Sequence, residues 1–338
     1  METILVTGGA GFIGSHTVVE LVSAGYRPII VDNFSNSEHS VIKNLEKLIG
    51  QPLTFYEQNF QDTDKLQDVI QKEAVSGIIH FAAYKAVGES VKEPLKYYEN
   101  NVSGLIALLR LLQTNESVKH FVFSSSCTVY GEPDSLPVTE DSPVKPAVSP
   151  YGASKQMDEA ILHDATTISP SLNSVALRYF NPIGAHPSAL IGELPKGVPA
   201  NLVPFVTQTA AGLRSKLVIN GDDYPTVDGS CVRDYIHVID LAKAHVKALA
   251  YLEKQPAASY DTINVGTGKG SSVLEVLQTF EQVSGKKLPY EIGPRRDGDV
   301  VSTYASVSKA GELLGWSAEK TLADALTDAW RWQQSLAQ

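Results

Sequence analysis

Thr3-Ile4-Leu5-Val6 is a short β-branched and aliphatic run, and Gly8-Gly9-Ala10-Gly11-Phe12-Ile13-Gly14 follows it almost at once. A helical stretch with Val18, Val19, Leu21 and Val22 comes next. Glycine clusters mark many turns, so the glycines alone decide little. The order strand, glycine loop, helix decides more. Glycines permit a tight turn and close backbone approach, and a helix N-terminus offers free N–H groups and partial positive charge to a pyrophosphate. The spacing Gly8-x-x-Gly11-x-x-Gly14 differs from the simpler GxGxxG but serves the same physics. Asp32 ends the next strand-like run, Arg27 to Val31. A carboxylate there accepts hydrogen bonds from ribose hydroxyls and repels a 2′-phosphate, which favours NAD over NADP.

Outward from this unit the pattern repeats. Leu53–Tyr56, Gly77–Phe81 and His120–Phe123 read as further strands separated by helical stretches. Continuous apolar strands alternating with helices predict a buried parallel sheet with crossover helices. Between the last two lies Asn101–Leu112, whose Val102, Leu105, Ile106, Leu108, Leu109 and Leu112 cover more than one narrow face. Such a helix is expected to be buried, or shared between the sheet and a partner subunit. After about Arg178, Pro182, Pro187, Pro195, Pro199 and Pro204 break the pattern. The expected organisation is a Rossmann-type doubly wound parallel sheet over 1–179. A smaller mixed α/β substrate domain follows over 180–338, with segments returning to the first domain.

Composition bounds the function. The chain has 338 residues, enough for a full core without staples. A net charge of -10 argues against a nucleic-acid partner. Cys127 and Cys231 stand far apart in no ligand-like spacing, which suits a reducing cytoplasm and implies no metal site. The N-terminus lacks a signal-peptide pattern, and no apolar run is long enough to span a bilayer.

Ser149-Pro150-Tyr151-Gly152-Ala153-Ser154-Lys155 reads as a capped helix start, with Tyr151 and Lys155 on one face. A phenol near pKa ~10 is a poor base at neutral pH. A neighbouring ammonium and a positively charged nicotinamide are expected to lower that value, so that Tyr151 takes a proton from a substrate hydroxyl. Ser124-Ser125-Ser126 follows the fifth strand, at the sheet edge where α/β proteins bind ligands. A second glycine run, Gly266-Thr267-Gly268-Lys269-Gly270-Ser271, lacks the P-loop spacing. It reads as a turn with Ser271 or Ser272 capping a helix at Val273.

TGGAGFIGSH, SSSCTVYGE and YGASK together resemble the extended short-chain dehydrogenase/reductase family. ALRYFNPIGAHPSALIGE, DDYPTVDGSCVRDYIHVIDLA and GPRRDGDVVSTYA narrow the resemblance to its UDP-glucose 4-epimerase branch, nearly end to end. The resemblance implies Tyr151 as acid/base, Lys155 as its tuning partner and ribose ligand, and Ser126 as the hydroxyl partner. It implies NAD contacts at Gly8, Gly11, Phe12, Ile13, Gly14, Asp32, Asn33, Ser35, Asn36, Ser37, Phe81, Ala82, Ala83, Lys85, Asn101, Ser124 and Tyr179. Asn59 and Phe60 stand where the family usually has an aspartate and an aliphatic residue facing adenine; the Asn59 amide keeps an acceptor oxygen. UDP-sugar contacts are implied at Lys85, Ser126, Tyr151, Phe180, Asn181, Asn201, Leu202, Arg233, Tyr235, Arg296 and Asp299. The arginines also make sense alone, because guanidinium suits phosphate oxygens. Thr303 falls at the position that walls the sugar pocket, where a small residue leaves room for N-acetylated sugars.

The implied activity is C4 epimerisation of UDP-glucose and UDP-galactose through a 4-keto sugar. The alternatives are a nucleotide-sugar 4,6-dehydratase and a non-catalytic NAD-binding regulator. The first needs an acid pair after the serine motif, where Cys127 and Thr128 stand. The second has no need of Tyr151 and Lys155. The family is commonly a homodimer built on the 101–112 helix and the helix carrying Tyr151.

Overall fold

A computed structural model describes residues 1–296 and 299–337. Its main feature is a seven-stranded sheet, parallel throughout. Six strands are β1 (Thr3–Thr7), β2 (Arg27–Asp32), β3 (Thr54–Glu57), β4 (Gly77–His80), β5 (His120–Ser124) and β6 (Asn173–Tyr179). The seventh is Tyr260–Val265, outside β6, which gives the order Tyr260–Val265, β6, β5, β4, β1, β2, β3. β3 runs one residue later than the sequence pattern suggests, β5 extends one residue further to Ser124, and β4 stops at His80.

Both faces of this sheet are buried. Ile4, Val6, Ile30, Ile79, Val122, Val175 and Leu177 face one core, with the helices Phe12–Ser23 and Val238–Leu252. Leu5, Ile29, Val31, Ile78, Phe121, Phe123 and Ala176 face the other, with Leu105, Leu108, Leu109 and Leu162 from the helices Gly104–Gln113 and Pro150–Thr167. Alternate residues of one strand thus serve two cores, which is why the runs read as continuously apolar. The chain leaves β1 toward β2 on one side and reaches β4 on the other. This reversal opens a crevice at the carboxyl ends of β1 and β4.

A third core joins Ile183, Val206, Leu217, Ile219, Phe280 and Leu326. It carries three small sheets: Asn181–Ile183 with Tyr235–His237, Val232–Arg233 between Ser271–Ser272 and Ser302–Thr303, and Leu217–Asn220 with Tyr290–Gly293. Val238–Leu252, Tyr260–Val265 and Ser308–Leu314 lie late in the chain, yet residues from them fill the first core.

The stretch read as one helix from Asn101 is two pieces. Tyr98–Ser103 is a π-helical turn, and the α-helix starts at Gly104. Gly104 is needed there: a Cβ would come within 2.7 Å of the Phe60 ring. In the second glycine run it is Ser272 that caps the helix Val273–Ser284, in a reciprocal box with Glu275. No helix among the described residues is long and apolar enough to cross a membrane. No group of three His, Cys, Asp or Glu among them could hold a metal.

Candidate active site

The crevice begins with the glycine loop. Gly8 has φ +73°, and a Cβ on it would lie 2.9 Å from the Ala82 nitrogen. At Gly14 a Cβ would lie 2.3 Å from the Gly8 carbonyl oxygen. Gly11 caps the helix Phe12–Ser23 without a side-chain bond, so the first-turn N–H groups of Phe12, Ile13 and Gly14 have no intrahelical acceptor. Asp32 binds this loop to the next one. Its carboxylate accepts from the Ala10 N–H at 3.0 Å, the Phe34 N–H at 2.9 Å and the Ser37 hydroxyl at 2.9 Å. A carboxylate has about four lone-pair sites, so one acceptor position remains. Asn33, Ser35 and Asn36 are exposed around it, and Asn33 accepts from the Ser35 N–H. Across the crevice, exposed Asn59 folds back on Gln61, and buried Phe60 packs edge-on to His80. These features fit a dinucleotide: a glycine cradle, open helix N–H groups and a free acceptor at the ribose position.

After β4, Phe81, Ala82 and Ala83 line the floor, half-buried. Phe81 lies 4.7 Å from the His245 ring, centroid to centroid. Asn101, on the π turn, accepts from the Tyr84 N–H and donates to the Tyr84 carbonyl and to Ser154 Oγ at 3.1 Å. It thereby ties the loop after β4 to the helix that carries Tyr151. π turns recur where a side chain must be set for function. Lys85 pairs with Glu193 at 3.3 Å, and Glu193 also accepts from the Asn201 side chain.

Tyr151 and Lys155 sit in the first turns of Pro150–Thr167, whose Ser149 cap accepts from the Gly152 N–H. Both are buried, at 6% and 3% exposure. Lys155 Nζ donates to the Ser124 carbonyl at 3.1 Å and lies 4.4 Å from the Phe123 ring centre. Ser124 Oγ donates to the Tyr179 hydroxyl at 2.9 Å. Ser126 Oγ accepts from the Thr128 N–H and hydroxyl, which leaves its own O–H free to donate. Ser125 is turned away and donates to Glu159, which Arg178 grips with three bonds.

The expected lowering of Tyr151 depends on a bound nicotinamide. In the protein alone Tyr151 is not lowered but raised well above its ordinary value. Burial is the main cause, the Tyr179 phenol adds to it, and the Ser126 hydroxyl opposes it. Lys155 is lowered, also by burial, with Asp158 and Glu159 opposing. Desolvation of the enclosed phenol is the largest of these effects. Burial likewise pushes the Cys127 thiol up to about 12.

The third group of residues is assembled by the small sheets. Asn181 pairs with Tyr235, and Thr303 pairs with Arg233. Phe180 and Tyr235 are buried. Asn181 Oδ1 is buried without a donor among the described residues. Arg233 and Arg296 both donate to Asp299 Oδ1, each at 3.1 Å, so one carboxylate holds two guanidinium groups together. Asn201 precedes the helix that starts at Leu202. The Tyr304 ring lies over Gly270, where a Cβ would come within 3.0 Å of it.

Relatives match this arrangement from end to end. The sequence model of the family described as GDP-mannose 4,6 dehydratase matches residues 5–329. A UDP-glucose 4-epimerase of Dictyostelium discoideum is 51% identical, over 98% of this chain and 96% of its own. That of Bacillus subtilis is 49% identical, over 98% and 97%. The chain belongs to the UDP-glucose 4-epimerase family. Solved epimerases superpose closely. The structure from Stenotrophomonas maltophila, with bound NAD and formylated UDP-arabinopyranose, has TM-score 0.96, 46% identity and coverage of 100% and 99%. That from Bifidobacterium longum, with NAD+ and UDP, has TM-score 0.94, 46% identity and coverage of 98% of both chains.

Two features of this epimerase-family site carry no strong sequence signal. Glu159, Arg178 and Ser125 form a buried network behind the serine run. Asp234 is fully buried and accepts from Thr267, Gly268 and Ala305, fixing the loops around Arg233 and Thr303. Helical spacing places Glu159 on the lysine's helix; nothing local announces Asp234.

Proposed function

We propose that this chain interconverts UDP-glucose and UDP-galactose by epimerisation at C4, with NAD as its cofactor. One observation separates this from 4,6-dehydration. The residues after Ser126 are Cys127 and Thr128, and a thiol pushed up to about 12 supplies no acid for elimination at C5–C6.

NAD, when bound, supplies a hydride acceptor and donor at the sugar C4. The glycine loop, the helix Phe12–Ser23 and Asp32 hold its adenosine side, with Asn33, Ser35, Asn36, Ser37, Asn59 and Phe60 around them. Phe81, Ala82, Ala83, Lys85, Asn101, Ser124 and Tyr179 line the nicotinamide side. Tyr151 takes the O4 proton as the 4-keto sugar forms and returns it on the way back. Ser126 donates its free O–H to the same oxygen. Lys155 orients the ribose and contributes positive charge beside Tyr151. Arg233 and Arg296 grip the diphosphate, with Phe180, Asn181, Asn201, Leu202, Tyr235 and Asp299 around the nucleotide and sugar. UDP is held firmly and the hexose loosely, so the 4-keto sugar turns its other face. Residues 1–179 serve mainly the cofactor, and 180–338 mainly the UDP-sugar.

The test is UDP-glucose formation from UDP-galactose by purified protein, read through a coupled dehydrogenase. Sustained interconversion supports the reading. A 4-keto-6-deoxy product, or none, defeats it.

A second reading concerns breadth. Thr303 stands beside Arg233 in the ladder, and the neighbouring Tyr304 ring is turned onto Gly270. The small side chain leaves room for a C2 acetamido group, so N-acetylated UDP-hexoses are also substrates. Thr303→Tyr should remove that activity and spare UDP-galactose; a wild type that ignores N-acetylated sugars refutes it.

Two free cysteines suit a cytoplasmic enzyme. We further propose a homodimer. Val102 and Ile106 remain partly exposed on one side of the 98–113 segment, and Val87, Val91, Leu95 and Met157 are exposed nearby in the chain or on the Tyr151 helix. Light scattering that gives the monomer mass would reject this.

A further inference from the structure

Asp158 lies on the Pro150–Thr167 helix, three residues after Lys155 and two turns beyond Tyr151. It is 1% exposed. Its Oδ1 meets no hydrogen-bond donor, and its Oδ2 stands 3.8 Å from Lys155 Nζ. A carboxylate buried this way is unfavourable unless it is paired. Lys155 has the complementary problem. Its other neighbours, the Ser124 carbonyl and the Phe123 ring, carry no net charge.

The surrounding groups leave Asp158 alone in that role. Glu159 also faces the lysine electrostatically, but it is taken by Arg178 from β6 and by Ser125. His80 on β4 is lowered by burial to about 3 and is neutral. Tyr151, Tyr179 and Cys127 are all raised by burial and are neutral too. Tyr97 is raised likewise and donates to Glu89, whose charge Lys96 pairs. Lys92, Glu93, Glu99 and Arg110, on the neighbouring helical turns, face solvent.

We propose that Asp158 is the counter-ion that keeps Lys155 an ammonium while the reaction runs, a positioning residue for the Tyr151–Lys155 pair. This rests on the epimerase reading above. Burial alone pulls Lys155 down and pushes Asp158 up to about 6, and each opposes the other's shift. Above that pH the carboxylate is charged, in the range where the lysine is at risk of losing its proton. Below it the low ambient pH itself keeps the lysine charged. Asp158 also disfavours the Tyr151 phenolate directly. Removing its charge therefore works on both groups in one direction along the pH axis. The phenolate forms at lower pH, and the ammonium is lost at lower pH.

The experiment compares wild type with Asp158→Asn, and with the smaller Asp158→Ser should the first not fold. UDP-galactose turnover and the dissociation constant for NAD are measured from pH 6 to 9.5. The expected result is a profile displaced to lower pH by about one unit, the usual effect of losing a nearby opposite charge. Turnover should fall roughly tenfold on the alkaline side and hold or rise near pH 6.5. NAD affinity, which needs no turnover, should weaken over the same displaced alkaline range. A profile lowered uniformly without displacement, in either folded variant, means that Asp158 only packs and overturns the proposal. A wild type without epimerase activity would defeat the functional reading instead, and the NAD titration would still report on Lys155.

Discussion

Tyr151 is enclosed so fully that burial favours the neutral phenol, and its reactivity depends on cations brought close to it. The sequence shows which residues meet, because Tyr151 and Lys155 are one helical turn apart, but not how far the surroundings exclude water. That depends on Tyr97, Phe123 and Tyr179, which come from three other segments. Removing only the hydroxyl tests the assignment. Tyr151→Phe should lower turnover by about 10²–10⁴-fold, the usual worth of a positioned base. Bound NAD, measured after gel filtration, should be retained, since the glycine loop and Lys155 are untouched. Near-normal turnover would remove Tyr151 from the mechanism. The arginines differ in setting. The Arg233 side chain is 15% exposed, that of Arg296 62%. Arg233→Ala should weaken UDP binding by about 1.5–3 kcal/mol, as for a hydrogen bond to a charged group. Arg296→Ala should cost less, because solvent screens an exposed ion pair. Calorimetry with UDP alone measures both, and unchanged affinity in the pair would place the diphosphate elsewhere.

The elements of the large sheet are legible because their physics is local. A strand buried on both faces reads as an apolar run, and a phosphate-binding turn reads as glycines between strand and helix. The same locality makes a sharp prediction at the turn. A methyl group on Gly14 would sit 2.3 Å from the Gly8 carbonyl oxygen, a backbone atom that cannot swing aside. Gly14→Ala should therefore force the helix away from the loop and weaken NAD binding by roughly 5- to 150-fold, for an overpacking cost of about 1–3 kcal/mol. Equilibrium binding of NAD to the variant decides it, and unaltered affinity would mean that the loop is not the cradle. Other elements were not legible. Nothing in Tyr98–Ser103 announces a π turn; the need arises from Tyr84 and Ser154, which Asn101 must reach together. The two- to four-residue strands around Arg233 and Thr303 are too short for any period. Buried Asp234, from the middle of that segment, organises them through contacts distant in sequence.

At the scale of the molecule, the crevice and the core beside it are built partly from buried histidines. His16 and His245 lie on the packed helices Phe12–Ser23 and Val238–Leu252, and His80 ends β4 below the crevice. Burial lowers them to about 3, about 4 and about 3 respectively. The ring nitrogens Nε2 of His16 and His245 have no partner among the described residues, so charging either ring is costly. Below pH 6.5 the unfolded chain takes up protons that the folded chain refuses, so folding stability falls as pH falls. Between pH 6.5 and 5 each histidine contributes a loss of about 2 kcal/mol. Asp158 acts the other way. Its folded value of about 6 lies above that of the unfolded chain, so its burial penalty is relieved as pH falls through the same window, by about 1 kcal/mol. The three histidines outweigh it. The thermal midpoint should therefore drop as pH goes from 7.5 to 5, before most carboxylates titrate. His245→Gln, which cannot take up a proton in either state, should flatten that slope. Scanning calorimetry of both proteins at several pH values is the measurement. A midpoint that holds or rises down to pH 5 would show that the folded protein accommodates these protons and that the rings are not sealed as the structure has them.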